Sequence, residues 1–229
     1  MNILVVNAGS SSIKYQLIDM TTELPLSSGL VERIGLKKGV ITHKTFINGE
    51  ERKIKETFPI PNHVVGLERV AELLTDKEMG VISDPSEIKA VGHRLVHGGE
   101  TFTKTVVITD EVKAKVKELF PLAPLHNPAN LIGVEVAEKV FPDAAQIAVF
   151  DTAFHQTMPG VAFRYAIPAE MYQEMGIRKY GFHGTSHKYV SEKAIAYLGK
   201  KEAKVITIHL GNGASMAAVN GGILSLIHI

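Results

Sequence analysis

The sequence predicts a mixed α/β protein from two recurring patterns. Short apolar runs that stop at glycine or serine are typical of strands, and longer stretches with apolar residues every three or four positions are typical of helices. Both patterns occur along the 229 residues, of which 45% are hydrophobic. Because strands that alternate with helices indicate a sheet with parallel members, we expect one or two compact α/β domains.

Four apolar runs near the N-terminus predict an antiparallel sheet. Residues 3–6 and 13–18 flank a turn rich in glycine and serine, which predicts a hairpin. Residues 30–34 and 40–46 predict two more strands that extend the same sheet.

Helical periodicity begins in the middle of the chain. Three helices are predicted, at residues 64–74, 110–119 and 130–140. Thr109 is placed to cap the second of them. The apolar runs 90–96 and 146–150 predict buried strands between the helices. We therefore assign residues 1–151 to a first α/β domain.

The chain after residue 151 predicts the beginning of a second domain, residues 152–223. A helix is expected over residues 186–198, with Thr185 or Ser186 as its cap. A strand over residues 205–210 runs into Gly211-Asn212-Gly213. The order strand, small-residue turn, strand thus occurs twice in the sequence, which favours duplicated halves.

The composition excludes several function classes. Lys and Arg number 25 against 24 Asp and Glu, so no net charge attracts nucleic acid or a membrane. The absence of cysteine excludes disulfides, thiolate metal sites and cysteine nucleophiles. The N-terminus lacks the basic start of a signal peptide, and no apolar run is long enough to span a bilayer, so we expect a cytoplasmic protein.

The first candidate site is the turn Asn7-Ala8-Gly9-Ser10-Ser11-Ser12, which Lys14 follows. Backbone N–H groups, hydroxyls and an ammonium around one bend suit phosphate oxygens. An ordinary solvated hairpin turn is the alternative. The turn is not a Walker loop, because the sequence contains no Gly-x-x-x-x-Gly-Lys-Ser/Thr.

The second candidate is Arg94, at the end of a predicted strand and shortly before the paired glycines Gly98 and Gly99. A guanidinium there suits bidentate binding of a carboxylate or phosphoryl group. Zinc binding by His93 and His97 is the alternative, but on a strand this spacing separates the rings by roughly 13 Å, too far for one ion.

Two further candidates are His126, just before a predicted helix, and Asp151, just after a predicted strand. His126 stands in a proline-punctuated segment before a helix, where anions prefer to bind, although it also fits a helix-capping role. Asp151 directly follows an apolar strand, a common place for a carboxylate that serves a site, although it also fits a turn.

The last candidates lie in two motifs of the second domain. Tyr180-Gly181-Phe182-His183-Gly184-Thr185-Ser186-His187 combines an aromatic residue, histidines and glycines ahead of a helix. His209-Leu210-Gly211-Asn212-Gly213-Ala214-Ser215 repeats the strand-into-turn pattern and would bring backbone close to a polyphosphate.

In this order and spacing, the motifs resemble the acetate kinase family from Met1 to about Gly222. The matching segments are residues 7–14 (Asn-Ala-Gly-Ser-Ser-Ser-x-Lys), 93–99 (His-Arg-x-Val-His-Gly-Gly), 182–187 (Phe-His-Gly-Thr-Ser-His) and 209–213 (His-Leu-Gly-Asn-Gly). The resemblance implies an actin-like, sugar-kinase-like (ribonuclease H-like) fold of two domains that close around the substrates, the second domain being truncated here.

The resemblance also implies roles for the candidate residues. Arg94 would hold the transferring phosphoryl group and the acetate carboxylate, and His183 would donate to the phosphoryl oxygens as charge develops. Asn7, as a magnesium-side residue, and Asp151 would lie at Mg2+ and the γ-phosphate. The remaining matches are Ser10, Ser12 and Lys14 for the phosphate turn, His126 and His209 for phosphoryl and nucleotide contacts, and Val96, Leu125 and Phe182 for an apolar pocket around the acetate methyl.

The implied reaction is reversible phosphoryl transfer from ATP to acetate, with Mg2+ as cofactor and acetyl phosphate and ADP as products. A carboxylate is already a nucleophile at neutral pH, so catalysis should consist of positioning and charge neutralisation. The resemblance further implies a homodimer for the full-length protein.

Family members are nearly twice this long, so we expect an incomplete chain that lacks the adenosine pocket, a second phosphoryl-binding Arg and a magnesium-side Glu. We expect no acetate-dependent transfer by the chain as it stands. Read back into codons, residues 224–229 can be encoded by CTG-TCT-CTT-ATA-CAC-ATC, which matches the mosaic-end sequence of transposase-based library preparation. We therefore expect a foreign tail, in which His228 has no function.

Three alternatives remain open. Propionate or another short-chain carboxylate is a possible substrate, because one methylene in an apolar pocket is worth only about 1–3 kcal/mol. A non-catalytic fragment would retain the phosphate-binding turns without transfer. A histidine-based metal hydrolase would contain zinc.

Overall fold

The computed structural model describes residues 1–227. The chain divides into two compact units. The first contains Met1–Leu95 and Val106–Val149, and the second contains Val96–Thr105 and the chain from Phe150 onward. The short segment Val96–Thr105 thus groups with residues that come later in the chain. The division into two domains at residue 151, expected from the sequence, stays a prediction.

The first unit is built on a sheet of eight strands. They are β1 (Asn2–Ala8), β2 (Ser12–Asp19), β3 (Leu24–Glu32), β4 (Gly39–Ile47), β5 (Glu50–Phe58), β6 (Ile88–Leu95), β7 (Val106–Val107) and β8 (Ala145–Phe150). The strand order is β5-β4-β3-β2-β1-β6-β8-β7. Strands β1 to β5 pair antiparallel with their sequence neighbours, and β1 pairs parallel with β6.

Three helices accompany this sheet: α1 (His63–Leu74), α2 (Asp110–Glu118) and α3 (Asn127–Val140). The buried positions of α1 recur every three or four residues, because only one face of the helix contacts the core. The core contains Leu4 and Val6 of β1, Leu67 of α1 and Val136 of α3, all buried. Helices α1 and α3 therefore share one core with the strands that carry the first candidate turn.

The second unit contains a three-stranded antiparallel sheet and three helices. The sheet has the order β11-β10-β9, with β9 (Lys204–Leu210), β10 (Ala214–Asn220) and β11 (Ile223–Ile227). The helices are α4 (Gly160–Phe163), α5 (Ala169–Met175) and α6 (Gly184–Leu198). A small core joins Met158 and Ala162 to Ala217, Leu224 and Ile227.

The predicted α/β fold class is confirmed, as are the first hairpin, the presence of parallel strands in the sheet and the Thr109 cap of α2. Strand β3 begins six residues earlier than predicted, and β5 was not predicted because charged residues dominate its exposed edge position. The predicted cap of α6 is wrong. The helix begins at Gly184 after His183, whose φ of 60° is left-handed, and no side chain caps it.

The described C-terminus forms part of the second sheet, because β11 pairs with β10. The expectation of a foreign tail at residues 224–229 stays a prediction, and its statement about His228 lies outside the described residues. Within residues 1–227, no helix has both the length and the apolar character needed to cross a membrane.

Candidate active site

The turn between β1 and β2 brings four of the predicted residues, Asn7, Ser10, Ser12 and Lys14, together in the first unit. Asn7 and Lys14 are direct partners across the two strands. They line a shallow groove of about 380 Å³ on the sheet. The N–H of Gly9 donates to the carbonyl of Ser12 at 2.8 Å, which closes the turn and leaves Ser10 at its exposed tip. An amide oxygen, a hydroxyl and an ammonium thus surround one bend.

Two buried side chains support this turn, and no sequence pattern predicts either of them. His63 Nε2 lies 2.7 Å from the Gly9 carbonyl oxygen, and Asn130 Nδ2 donates to the Ala8 carbonyl at 2.7 Å. Helix α3 approaches closely because Gly133 faces Ala8, where no room exists for a Cβ atom. The side chains of His63 and Asn130 are polar and follow no hydrophobic periodicity. Only the fold therefore identifies these two residues as supports of the turn.

Arg94 lies at the same end of the sheet as Asn7. Strands β1 and β6 are parallel and pair up to Val6 and His93, so the next residue on each strand emerges at one edge. Arg94 is half-buried there. Its neighbour His93 is buried against Gln146, with Nε2 2.7 Å from the side-chain oxygen, and burial lowers the pKa of His93.

His126 directly precedes α3, as predicted, but its side chain is exposed and makes no capping hydrogen bond. Leu125 is 80% exposed. The N-terminus of α3 therefore presents both side chains to solvent within the first unit, where anions can reach the helix end.

In the second unit, Asp151 directly follows β8 and is 2% exposed. Its carbonyl accepts a hydrogen bond of 2.9 Å from the N–H of Gly184, the first residue of α6. A Cβ at position 184 would collide with that carbonyl, so glycine is required for this contact. The start of α6 is thereby fixed to the residue that carries the candidate carboxylate.

His183, His209 and the glycine turn 211–213 come together in the same unit. The rings of His183 and His209 are stacked, with centroids 4.1 Å apart and an angle of 17° between their planes. A Cβ at Gly213 would lie 3.2 Å from His183 Cε1 and 3.3 Å from Nε2. His209 Nδ1 lies 3.0 Å from Ser186 Oγ. Two imidazoles therefore stand beside a glycine turn that joins β9 and β10.

Val96 and Phe182, two of the predicted pocket residues, also belong to the second unit. Val96 is buried, whereas Phe182 is 40% exposed with its ring 5.7 Å from that of His97. His97 packs edge-on against Tyr180 as well, and burial lowers its pKa to about 4. The Gly99 N–H donates to its Nδ1 at 3.0 Å, which requires that nitrogen to be unprotonated.

Gly98 and Gly99, which follow His97, are glycines for steric reasons. A Cβ at Gly98 would lie 3.0 Å from Phe102 Cβ and from the ring of Phe150. The rings of Phe102 and Phe150 are themselves stacked, with centroids 4.4 Å apart. Gly99 has a φ of 58°, a left-handed conformation that favours glycine. Gly98 therefore allows close packing and Gly99 allows the left-handed turn of the backbone.

The predicted site residues thus form two sets, one in each unit. The first set is Asn7, Ser10, Ser12, Lys14, Arg94, Leu125 and His126, and the second is Val96, Asp151, Phe182, His183, His209, Gly211, Asn212 and Gly213. Among residues 1–227, no group of three or more His, Asp or Glu side chains is arranged to hold a metal ion.

Comparison with known proteins gives consistent matches. The model of the acetokinase family matches residues 2–225. The chain is 60% identical over 222 residues to an acetate kinase of Flavobacterium johnsoniae and 55% identical over 224 residues to one of Methanosarcina acetivorans. Each match covers 97% of this chain, and it covers 55% and 54% of those proteins. The chain thus spans about half the length of the curated relatives it matches.

Solved structures agree with these matches. The acetate kinase of Porphyromonas gingivalis superposes with a TM-score of 0.90 at 48% identity, over 100% of this chain and 57% of that one. A propionate kinase of Francisella tularensis also gives a TM-score of 0.90, at 42% identity over 99% and 56% of the two chains.

Proposed function

The chain belongs to the acetokinase family, and from this premise we propose that it serves the reversible transfer of a phosphoryl group between ATP and acetate. In the forward direction an acetate oxygen attacks the γ-phosphorus in line, the bond from that phosphorus to the β-phosphate oxygen breaks, and ADP leaves. Acetyl phosphate is the other product. No proton is transferred, because acetate is ionised at neutral pH.

The observation that supports this proposal best is the stack of His183 and His209 against the glycine turn 211–213. Glycines let backbone approach phosphate oxygens, and imidazole N–H groups can donate to them. Within this turn, Asn212 is exposed and can reach a nucleotide. The arrangement suits phosphate chemistry without a protein nucleophile.

The other roles follow from the residue types. Arg94 is a fixed cation suited to bidentate binding of acetate or the phosphoryl group. Ser10, Ser12 and Lys14 are assigned to phosphate oxygens, and His126 to the phosphoryl group. Val96, Leu125 and Phe182 are assigned to the acetate methyl. Catalysis then consists of positioning and neutralisation of charge.

Mg2+ fits the donor types at Asn7 and Asp151, because it prefers oxygen ligands and usually takes only one or two from the protein. The lack of a three-residue cluster among residues 1–227 agrees with an ion that arrives with the nucleotide. When bound, Mg2+ would neutralise charge on the phosphates. Asn7 would hold it through the amide oxygen, with Asp151 on the γ-phosphate side.

Propionate is the second candidate substrate. The TM-score against the Francisella tularensis propionate kinase equals that against the Porphyromonas gingivalis acetate kinase. Turnover of both acids therefore has to be compared in the experiment below. We further propose a cytoplasmic homodimer that requires neither nucleic acid nor a membrane.

The test joins this chain, through Gly222, to the part of the Flavobacterium johnsoniae acetate kinase that follows the matched region. Acetyl phosphate formation from ATP, Mg2+ and acetate is measured, with propionate in parallel. We expect turnover, and an approximately 100-fold loss of kcat in His183→Ala, the typical effect of removing one preorganised donor. Arg94→Ala should lower kcat/KM for acetate by at least as much.

The control is Glu118→Gln, an exposed change on α2 at a residue that pairs with Lys115 and has no assigned role in the reaction. A folded chimera without turnover would contradict the proposed function. Tight binding of acetyl phosphate without transfer by that chimera would instead support the non-catalytic alternative.

A further inference from the structure

A continuous row of hydrogen-bonded groups leads to His183 within the second unit. Thr207 Oγ1 lies 2.8 Å from His187 Nδ1, and His187 Nε2 lies 2.8 Å from Ser215 Oγ. Ser215 Oγ in turn lies 2.8 Å from His183 Nδ1. Thr207 is on β9, His187 on α6 and Ser215 on β10, so three elements fix the row. Both His187 and Thr207 are buried.

The protons of this row can be assigned by counting donors. A serine hydroxyl has one hydrogen. Ser215 therefore donates to one of its two neighbours, His183 Nδ1 and His187 Nε2, and accepts from the other. Neutral His187 likewise donates from one nitrogen and accepts at the other. The direction of the whole row therefore depends on where the Thr207 proton points.

Thr207 Oγ1 lies 3.5 Å from the Ala217 carbonyl, with the hydroxyl as the only possible donor. If that proton goes to Ala217, Thr207 accepts from His187 Nδ1, Ser215 donates to His187 Nε2, and His183 Nδ1 donates to Ser215. All four contacts then contain one proton each. The reverse direction leaves the contact between Thr207 and Ala217 without a proton, so the first direction is favoured.

His187 is suited to this neutral relay. Burial lowers its pKa, and the neighbouring His183 and His209 lower it further. A neutral His187 has one nitrogen without a proton, and Nε2 must be that nitrogen if it accepts the Ser215 proton. His187 also lies in the first turn of α6, where its backbone N–H donates to the His183 carbonyl at 3.0 Å.

We propose that Ser215, oriented by His187, is a positioning residue that holds the neutral His183 ring in the tautomer with its proton on Nδ1. The left-handed backbone of His183 and the stack on His209 restrict the ring further. His183 Nε2 then lies beside Gly213 as the nitrogen that carries no proton in the neutral ring.

The consequence for catalysis rests on the proposed function. When His183 binds a second proton, that proton is placed on Nε2, because Nδ1–H is already donated to Ser215. The cationic ring would then donate Nε2–H to a phosphoryl oxygen while Ser215 keeps its orientation. His183 returns unchanged after the transfer, so the step consumes no proton.

The test is long-range 1H–15N correlation NMR on the 229-residue chain labelled with 15N-histidine, without any substrate. His183→Gln identifies the His183 signals. We expect neutral His183 to show a protonated Nδ1 and a bare Nε2. In Ser215→Ala the Nδ1–H loses its acceptor, so the two nitrogens should exchange character or average, and Ser215→Thr should restore the original pattern.

Ser225→Ala is the matched control, because Ser225 Oγ donates its proton to the Ala218 carbonyl on the same sheet. It should leave the His183 signals unchanged. A wild-type His183 with its proton on Nε2 would overturn the proposal, even if Ser215→Ala does not fold. An unchanged His183 tautomer in folded Ser215→Ala would overturn it as well.

The chimera supplies a second readout. Ser215→Ala should lower kcat roughly tenfold with little change in KM for acetate, the scale seen when a partner that orients a functional histidine is removed. An inactive parent chimera would count against the proposed function alone. If the parent is active and the variant equals it, Ser215 does not position His183 for catalysis.

Discussion

Gly133 of α3 lies directly against Ala8 of β1, with no space between them for a side chain at position 133. This contact brings α3 close enough for Asn130 to reach the carbonyl of Ala8. The helix that begins after His126 and the turn that begins after Ala8 are thus fixed to each other within the first unit. The candidate phosphate turn is therefore supported by a helix that a single methyl group would displace.

Gly133→Ala should lower the free energy of unfolding by roughly 1–3 kcal/mol, because the added methyl group overpacks a closed contact. The measurement is urea denaturation. Gly92→Ala is the control, since a Cβ at that position of β6 meets no atom of residues 1–227 within 4 Å, apart from its two chain neighbours. Equal stability of Gly133→Ala and the wild type would contradict the close contact.

Asn130→Ala should cost roughly 1–3 kcal/mol of unfolding free energy, because it removes the amide that donates to the buried Ala8 carbonyl. Amide hydrogen exchange in the turn after Ala8 should become faster. Asn220→Ala, at an exposed position of β10, should leave both measurements unchanged. If exchange in the turn is unaffected, Asn130 does not support it.

The ion pair between Arg178 and Glu100 predicts a large effect in the second unit. Arg178 is 7% exposed and its guanidinium lies 3.7 Å from the centre of the Phe163 ring. Glu100 is its carboxylate partner and also accepts from the Tyr172 hydroxyl at 3.0 Å. Glu100→Gln should therefore cost roughly 1–3 kcal/mol, because it leaves a buried cation without its countercharge.

Thermal unfolding measures this effect. Glu118→Gln is the matched control, because Glu118 pairs with Lys115 on the exposed surface of α2 and should barely change the midpoint. A similar shift of the thermal midpoint in Glu100→Gln and Glu118→Gln would contradict the prediction, because the buried pair would then contribute no more than an exposed one.

The buried His43 predicts that the first unit loses stability in acid. Burial lowers its pKa from 6.5 to about 4, and burial also raises the pKa of Tyr15, whose protonated hydroxyl lies 2.5 Å from His43 Nδ1. The unfolded chain therefore binds the extra proton between pH 6.5 and 4, where the folded chain does not. Stability is complete above about pH 6.5 and decreases as the pH falls toward 4.

The loss should reach roughly 2–3 kcal/mol for this group, since one pKa unit corresponds to about 1.4 kcal/mol. The measurement is the unfolding free energy by urea at several pH values, for wild type and His43→Gln. The variant should be less sensitive to pH over this window, whatever its stability at neutral pH. The same slope in both proteins would exclude His43 as the cause.

Sequence patterns located most of the regular elements because hydrophobic periodicity reflects burial on one face. Residues 13–18 alternate as strand β2 does, and residues 64–74 repeat as helix α1 does. The same patterns failed at β5, an edge strand rich in charged residues, and at the start of α6. There the contact between Gly184 and Asp151 decided where the helix begins, and Ser186 binds His209 instead of capping.

The sequence by itself determined the family, the α/β class and the residue types suited to phosphoryl chemistry, because these are carried by short motifs and local spacing. Only the tertiary structure placed His63 and Asn130 behind the first turn, and joined Ser215 to His183 through one hydrogen bond. Such partners lie 32 to 122 residues apart in the chain. The physical reason is that a polar side chain acquires its role from the buried groups that folding brings to it, and spacing along the sequence does not record them.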